Sequence, residues 1–227
     1  MNQGFVITID GPAASGKSSV SREIARRFSW KWVSTGAFYR GLGYVAMQVG
    51  VDIEDESALA QLAHSSIWSV EMGMDRTRVV YNNFDVTSEI GREDVGNIAS
   101  LVSRFPAVRK ALLQGQRDCL KKAQAQGSLA LVAEGRDCGT VIFPESPAKV
   151  YLTANSASRA QRRSQELGLN VTEIMSAQKT RDHQDSSRKE APLAVPENAL
   201  VIDTSELGFD DVVKKVEEFI REQIALS

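Results

Sequence analysis

The chain has 227 residues, a formal net charge of −2, and 42% hydrophobic and 25% charged residues, the profile of a soluble globular protein long enough to bury a real core. That near-neutral balance excludes a general attraction to nucleic acid or to a membrane surface, and no stretch approaches the ~20 consecutive apolar residues of a spanning helix. Two cysteines, Cys119 and Cys138, form neither a C-x-x-C pair nor a metal-ligand spacing, as expected in a reducing compartment.

The amino end, Met1-Asn2-Gln3-Gly4, runs directly into the apolar, β-branched stretch Phe5–Asp10, so no signal peptide and a cytoplasmic location are expected. Phe5–Asp10 reads as a buried strand. It feeds Gly11-Pro12-Ala13-Ala14-Ser15-Gly16-Lys17-Ser18, which fits G-x-x-x-x-G-K-[ST], the loop that wraps the phosphates of a nucleoside triphosphate. Gly11 and Gly16 free the backbone so that consecutive N–H groups converge on an anion. Lys17 reaches the β- and γ-phosphates, and the Ser18 hydroxyl suits Mg²⁺. Val20, Ile24, Ala25 and Phe28 then recur at helical spacing, so a helix beginning near Gly16 aims its N-terminus at the phosphates. The expected triphosphate site therefore runs through Gly11, Pro12, Ala13, Ala14, Ser15, Gly16, Lys17, Ser18 and Ser19.

Trp30–Val33 reads as a second strand, and a helix carrying Leu42, Val45, Ala46 and Val49 opens at Gly36. Ile67–Met72 and Arg78–Thr87 favour β structure around the turn Tyr81-Asn82-Asn83-Phe84, predicting a small antiparallel insert over Ser66–Ile90. Helical spacing returns with Val95, Ile98, Ala99 and Val102, is punctuated at Phe105-Pro106, and resumes through Val108, Leu112 and Leu113. Leu129–Ala133, Lys149–Thr153 and Leu200–Asp203 read as strands. A final helix carries Phe209, Val212, Val213, Val216, Phe219, Ile220 and Ile224 on one face. The pattern predicts an α/β fold: an open parallel sheet with helices on both faces and ligands beyond the carboxyl ends of the strands. No repeat or linker divides it, so residues 1–227 form one domain.

Charge is uneven. Arg159, Arg162, Arg163, Lys179, Arg181, Arg188 and Lys189 stand against Glu166, Glu173, Asp182 and Asp185 in one segment that carries no aromatic residue. Arginine matches phosphate bidentately, so this segment reads as a clamp on clustered phosphates. The chain lacks Asn-Lys-x-Asp, the guanine-reading motif. No apolar strand ends in the aspartate that holds Mg²⁺ in many ATPases; Leu129–Glu134 comes nearest, with glutamate last. These absences point to a kinase with a small second substrate. Two constellations follow strand ends, Ser34-Thr35-Gly36-Ala37-Phe38-Tyr39-Arg40 and Glu134-Gly135-Arg136-Asp137, and a third, Arg181-Asp182 with Asp185 and Arg188, lies in the basic segment that should close from the other side.

Taken together, GPAASGKSS, STGAFYR, FPAVR, AEGRDCGTVIFP, RDHQDSSR and APL resemble, in order and from about residue 5 to 225, the bacterial cytidylate kinases. The resemblance implies the nucleoside monophosphate kinase fold. Its five-stranded parallel P-loop core corresponds to residues 1–35, 92–153 and 190–227. A monophosphate-binding part with a small antiparallel β insert covers about 36–91, and a mobile lid about 154–189. It also implies transfer of the γ-phosphoryl group of ATP to CMP or dCMP in pyrimidine metabolism. Mg²⁺ would arrive with the nucleotide, no cofactor would be tightly bound, and the enzyme would be a monomer without nucleic-acid or membrane partners.

Carried over residue by residue, the resemblance assigns the CMP phosphate to Arg40, with Tyr39 beside it, Arg136 and Arg188. It assigns the cytosine to Ser100, Arg109 and Asp137, and the ribose to Arg181 and Asp185, with the Thr35 hydroxyl in the same pocket. Lid arginines over the ATP phosphates come from Arg159, Arg162 and Arg163. Lys17, Arg136, Arg159 and Arg163 would act on the moving phosphoryl group. The physics agrees: an aspartate accepts from the cytosine amine while a guanidinium donates to N3 and O2, whereas uracil would set a carbonyl against the carboxylate. Two positions depart from the family pattern, Glu134 and Ser34 standing where aspartate is usual. His64 and His183 read as surface or packing residues, and Trp30, Trp32 and Trp68 as packing. Cys138 reads as a spacer with some reactivity.

Overall fold

In the computed structural model, which describes residues 4–72, 76–188 and 190–225, Phe5–Asp10 forms β1, Lys17–Phe28 α1, Lys31–Ser34 β2 and Gly36–Val49 α2. Glu56–Ala63 (α3) leads into a three-stranded antiparallel sheet of Trp68–Met72 (β3), Thr77–Tyr81 (β4) and Phe84–Asp85 (β5). Then come Thr87–Ile90 (α4), Glu93–Val102 (α5), Pro106–Ala125 (α6), Ala130–Gly135 (β6) and Ala148–Thr153 (β7). Ser156–Leu167 (α7), Val171–Ser187 (α8), Leu200–Asp203 (β8) and Phe209–Ala225 (α9) complete the chain.

The main sheet has five parallel strands in the order β2-β6-β1-β7-β8. Alternate residues of its central strands enter two separate cores. Val6, Leu131 and Ala133 pack with Leu42, Val45 and Leu112 from α2 and α6. Ile7, Ile9 and Val132 pack with Val20, Ile24, Val213 and Ile220 from α1 and α9. Strands buried on both faces read as near-continuous apolar runs, and their parallel order leaves all carboxyl ends along one edge. Asx caps start the polar helices: Asn155 Oδ1 accepts from the Ser158 N–H at 2.8 Å, and Asn170 Oδ1 from the Thr172 N–H at 2.8 Å.

The expected layers hold, with local differences. The second strand is Lys31–Ser34, because the Trp30 ring leaves the ladder to stack on Phe28 with centroids 4.3 Å apart. The insert is antiparallel, but its last strand has two residues, and Thr87–Ile90 is a helical turn. The basic segment is built of two helices, α7 and α8. Lys189 and residues 73–75, within the predicted clamp and insert, lie outside the described residues.

Candidate active site

A cavity of about 220 Å³ opens at the carboxyl edge of the sheet, where such folds bind ligands. Its floor is the phosphate loop. Gly11 takes φ 145°, and a Cβ there would lie 1.9 Å from the Leu152 carbonyl oxygen, so the loop closes on β7 only with glycine. Lys17 is buried and donates to the Pro12 carbonyl at 2.6 Å. Burial, with Arg136 nearby, lowers its pKa to about 8 against the pull of Glu134 and Asp10. The Ser18 hydroxyl lies 2.8 and 2.9 Å from the two carboxylate oxygens of Glu134, to which it donates.

Thr35 follows β2, and its hydroxyl donates to the Glu134 carbonyl at 2.9 Å. Tyr39 and Arg40 lie one turn into α2. The Arg40 guanidinium donates to the carbonyls of Ile90 at 2.6 Å and Arg92 at 3.1 Å and has no carboxylate among these partners. The opposite end of the cavity holds a buried ion pair between Arg109 of α6 and Asp137, which follows β6. The Tyr39 ring lies 5.6 Å from the Arg109 guanidinium, and burial raises its phenol pKa to about 12. Ser100 lines the same end, its buried hydroxyl without a hydrogen-bond partner, a polar group set for a ligand.

From above, Arg136 pairs with Asp185 of α8, while Arg188 donates to the Ser103 hydroxyl at 3.1 Å and lies 3.7 Å from Asp185. Arg181 pairs with Glu93, and Arg163 lies 3.3 Å from the same carboxylate. The lining includes Lys17 and six arginines (Arg40, Arg109, Arg136, Arg163, Arg181, Arg188) against Glu134, Asp137 and Asp185, an excess of four positive charges. Burial and then neighbouring guanidiniums lower the pKa of Arg40 to about 10. Burial also lowers Arg181 and Arg188 below the usual arginine value, with further guanidiniums adding to it against nearby carboxylates. Burial acts on Arg136 too, yet the Asp185 carboxylate holds it above that value. The cavity is an anion trap whose positive charge is only partly compensated.

All the residues expected at the second substrate line this cavity: Thr35, Tyr39, Arg40, Ser100, Arg109, Arg136, Asp137, Arg181, Asp185 and Arg188. Ala13, Ala14, Lys17, Ser18 and Arg163 line it too; Gly11, Pro12, Ser15, Gly16 and Ser19 shape the loop outside the lining. Arg159 also stands outside, donating to the Ala13 carbonyl at 3.2 Å and to Asp182 at 2.6 Å. Arg162 turns away to the Thr204 hydroxyl at 2.9 Å. His64 and His183 are exposed. Cys138 is fully buried, and burial first, then Asp10 and Asp137, pushes its thiol pKa well up, so the expected reactivity is corrected to an inert thiol.

Sequence reasoning missed Asp10, Glu93 and Ser103. Asp10 is fully buried and accepts from the Cys138 N–H at 2.9 Å and the Gly139 N–H at 2.7 Å, tying the base of the phosphate loop to the turn that carries Asp137. Its signal was the aspartate that ends the apolar strand Phe5–Asp10, contrary to the expectation that no apolar strand ends in aspartate. Glu93 and Ser103 carried none.

The profile of the cytidylate kinase family matches residues 7–222. A cytidylate kinase of Bdellovibrio bacteriovorus is 59% identical over 221 residues, covering 97% of this chain and 100% of that protein. Another, from Shewanella loihica, is 40% identical over 225 residues, covering 96% and 95%. A sugar kinase of Janibacter sp. HTCC2649 shares the fold alone, with a TM-score of 0.51 and 10% identity over 96% of this chain and 95% of that one. The match takes in the phosphate loop, the arginine-lined cavity and both of its walls, and the chain belongs to the cytidylate kinase family.

Proposed function

We propose that the chain transfers the γ-phosphoryl group of ATP to CMP or dCMP, giving ADP and CDP or dCDP. One observation carries this reading: a single cavity has a phosphate loop at one end, a buried Arg109–Asp137 pair at the other, and unspent arginine charge between them. ATP lies on Gly11–Ser19, with Lys17, Arg159 and Arg163 toward its phosphates. The CMP phosphate lies among Arg40, Arg136 and Arg188, with Arg136 shared by both nucleotides. Ser100, Arg109 and Asp137 read the base; Arg181, Asp185 and Thr35 face the ribose. Phosphoryl transfer asks for positioning and charge neutralisation rather than proton chemistry, which suits a site of arginines without a cavity-lining histidine among the described residues.

The Ser18 hydroxyl and the Glu134 carboxylate set hard oxygen donors side by side, a donor set that fits Mg²⁺. Bound there with ATP, Mg²⁺ would neutralise phosphate charge. Residues 154–189 act as a lid that excludes water, which would otherwise take the phosphoryl group. The enzyme works as a cytoplasmic monomer in pyrimidine nucleotide metabolism, and neither nucleic acid nor a membrane is a partner. Among the described residues no helix is long and apolar enough to cross a membrane. Incubation with ATP, Mg²⁺ and CMP should yield ADP and CDP in equal amounts; inorganic phosphate in place of CDP would overturn the reading.

A further inference from the structure

Glu93, in the first turn of α5, stands behind the cavity wall and engages both helices of the basic segment. One carboxylate oxygen accepts from Arg181 of α8, and the other lies 3.3 Å from Nη2 of Arg163 of α7. Both arginines line the cavity, whereas Glu93 does not. Arg163 Nη2 also lies 3.3 Å from the Gly91 carbonyl, just ahead of α5; the other contacts of both arginines stay on their own helices. Arg181 Nε donates to the Ala177 carbonyl at 3.4 Å, and Arg163 Nη1 to Glu166 at 2.8 Å. Glu93 is thus the carboxylate that joins these two arginines to the wall of α5. Two anionic oxygens spanning two guanidiniums is the geometry that a phosphate group would itself adopt.

We propose that Glu93 is an internal stand-in for a substrate phosphate: it holds α7 and α8 to the wall of α5 and gives up its arginines when a phosphorylated ligand binds. The proposal rests on the nucleotide reading above and adds an affinity-setting residue to it. A contact made only in the ligand-free state stabilises that state, so it lowers apparent ligand affinity by the same factor. Glu93 also places a negative charge beside the anion trap. Both effects vanish when its charge is removed: in the reading above the freed Arg163 turns to the ATP phosphates and Arg181 to the CMP ribose, and the cavity gains positive charge for any phosphate.

The test is calorimetric titration of wild type, Glu93→Gln and Glu93→Ala with CMP, cytidine and inorganic phosphate. Glu166→Gln, which removes the exposed partner of Arg163, serves as the control. Hydrogen exchange over residues 156–187 is followed in the ligand-free proteins. Both Glu93 variants should bind CMP and inorganic phosphate about tenfold more tightly, the worth of one charge-assisted hydrogen bond. Cytidine binding should tighten by less than that of CMP, the control should stay unchanged, and α7 and α8 should exchange faster without ligand. Unchanged or weaker phosphate binding in the Glu93 variants would overturn the proposal, since Glu93 would then keep its arginines in the bound state. A wild-type protein that binds no CMP would instead overturn the nucleotide reading, and the inorganic phosphate titration would still decide the role of Glu93.

Discussion

Arg109 and Asp137, 28 residues apart, close an ion pair at the end of the cavity in which the two side chains are 9% and 6% exposed. Stripping one partner from such a pair leaves a buried charge at a cost of about 3–5 kcal/mol, so its retention in a binding cavity needs a ligand that both members serve. Asp137→Asn keeps the shape and exchanges one acceptor for an N–H, the group that the uracil carbonyl requires. The CMP to UMP ratio of kcat/KM should fall at least about tenfold while the KM for ATP holds. A ratio equal to wild type would place base recognition elsewhere.

Gly96 makes room for Arg40. A methyl at Gly96 would lie 2.8 Å from Arg40 Nη2, and the far end of a flexible side chain yields more readily than backbone. Alanine also favours the α5 helix by roughly 0.5–1 kcal/mol over glycine. Gly96→Ala should therefore leave thermal stability within ~1 kcal/mol of wild type. It should raise the KM for CMP by about tenfold, with the KM for ATP unchanged. Loss of stability with a normal KM for CMP would mean that Arg40 only supports the fold.

Lys17 is held within the loop by the Pro12 carbonyl, and burial works against its charge. Lys17→Met removes that charge while keeping a linear chain of similar length. Unfolding should be no easier than in wild type, and kcat should fall by at least about a hundredfold. A folded variant with near-normal turnover would remove Lys17 from the reaction.

Asp10 gives a stability signature in pH. Burial raises its pKa from 3.8 to about 6 against the two N–H donors that lower it. A carboxyl whose folded pKa lies above its unfolded value contributes stability below the unfolded pKa and loses it as pH rises through the folded one. Between about pH 4 and pH 7 the wild type should therefore lose about 2 kcal/mol relative to Asp10→Asn. Urea unfolding of both proteins at the two pH values reads the difference directly, and a pH-independent gap would show that Asp10 is not desolvated as the fold implies.

The phosphate loop, its strand and its helix were legible because their demands are local, each residue answering a neighbour in sequence. Arg40 and Arg136, which line the cavity, were legible in motifs at strand ends, and Arg181 and Arg188 within the basic segment. Their partners were not: Ser18 and Glu134 meet across 116 positions, and Arg136 meets Asp185 across 49. α8 hid for a related reason. Its buried positions are Ile174, Gln178, Arg181 and Asp185, mostly polar, so it shows no apolar stripe. Trp30 read as strand on β propensity, but ring stacking on Phe28 claimed it.

ADP release with ATP and Mg²⁺, measured with CMP, dCMP, UMP, AMP, GMP and dTMP in turn as acceptors, bears most directly on the whole reading. The predicted result is rapid turnover with CMP and dCMP alone. Equal turnover with UMP or AMP would contradict the assignment of the base pocket to Ser100, Arg109 and Asp137, and ADP release indifferent to every acceptor would contradict the kinase itself.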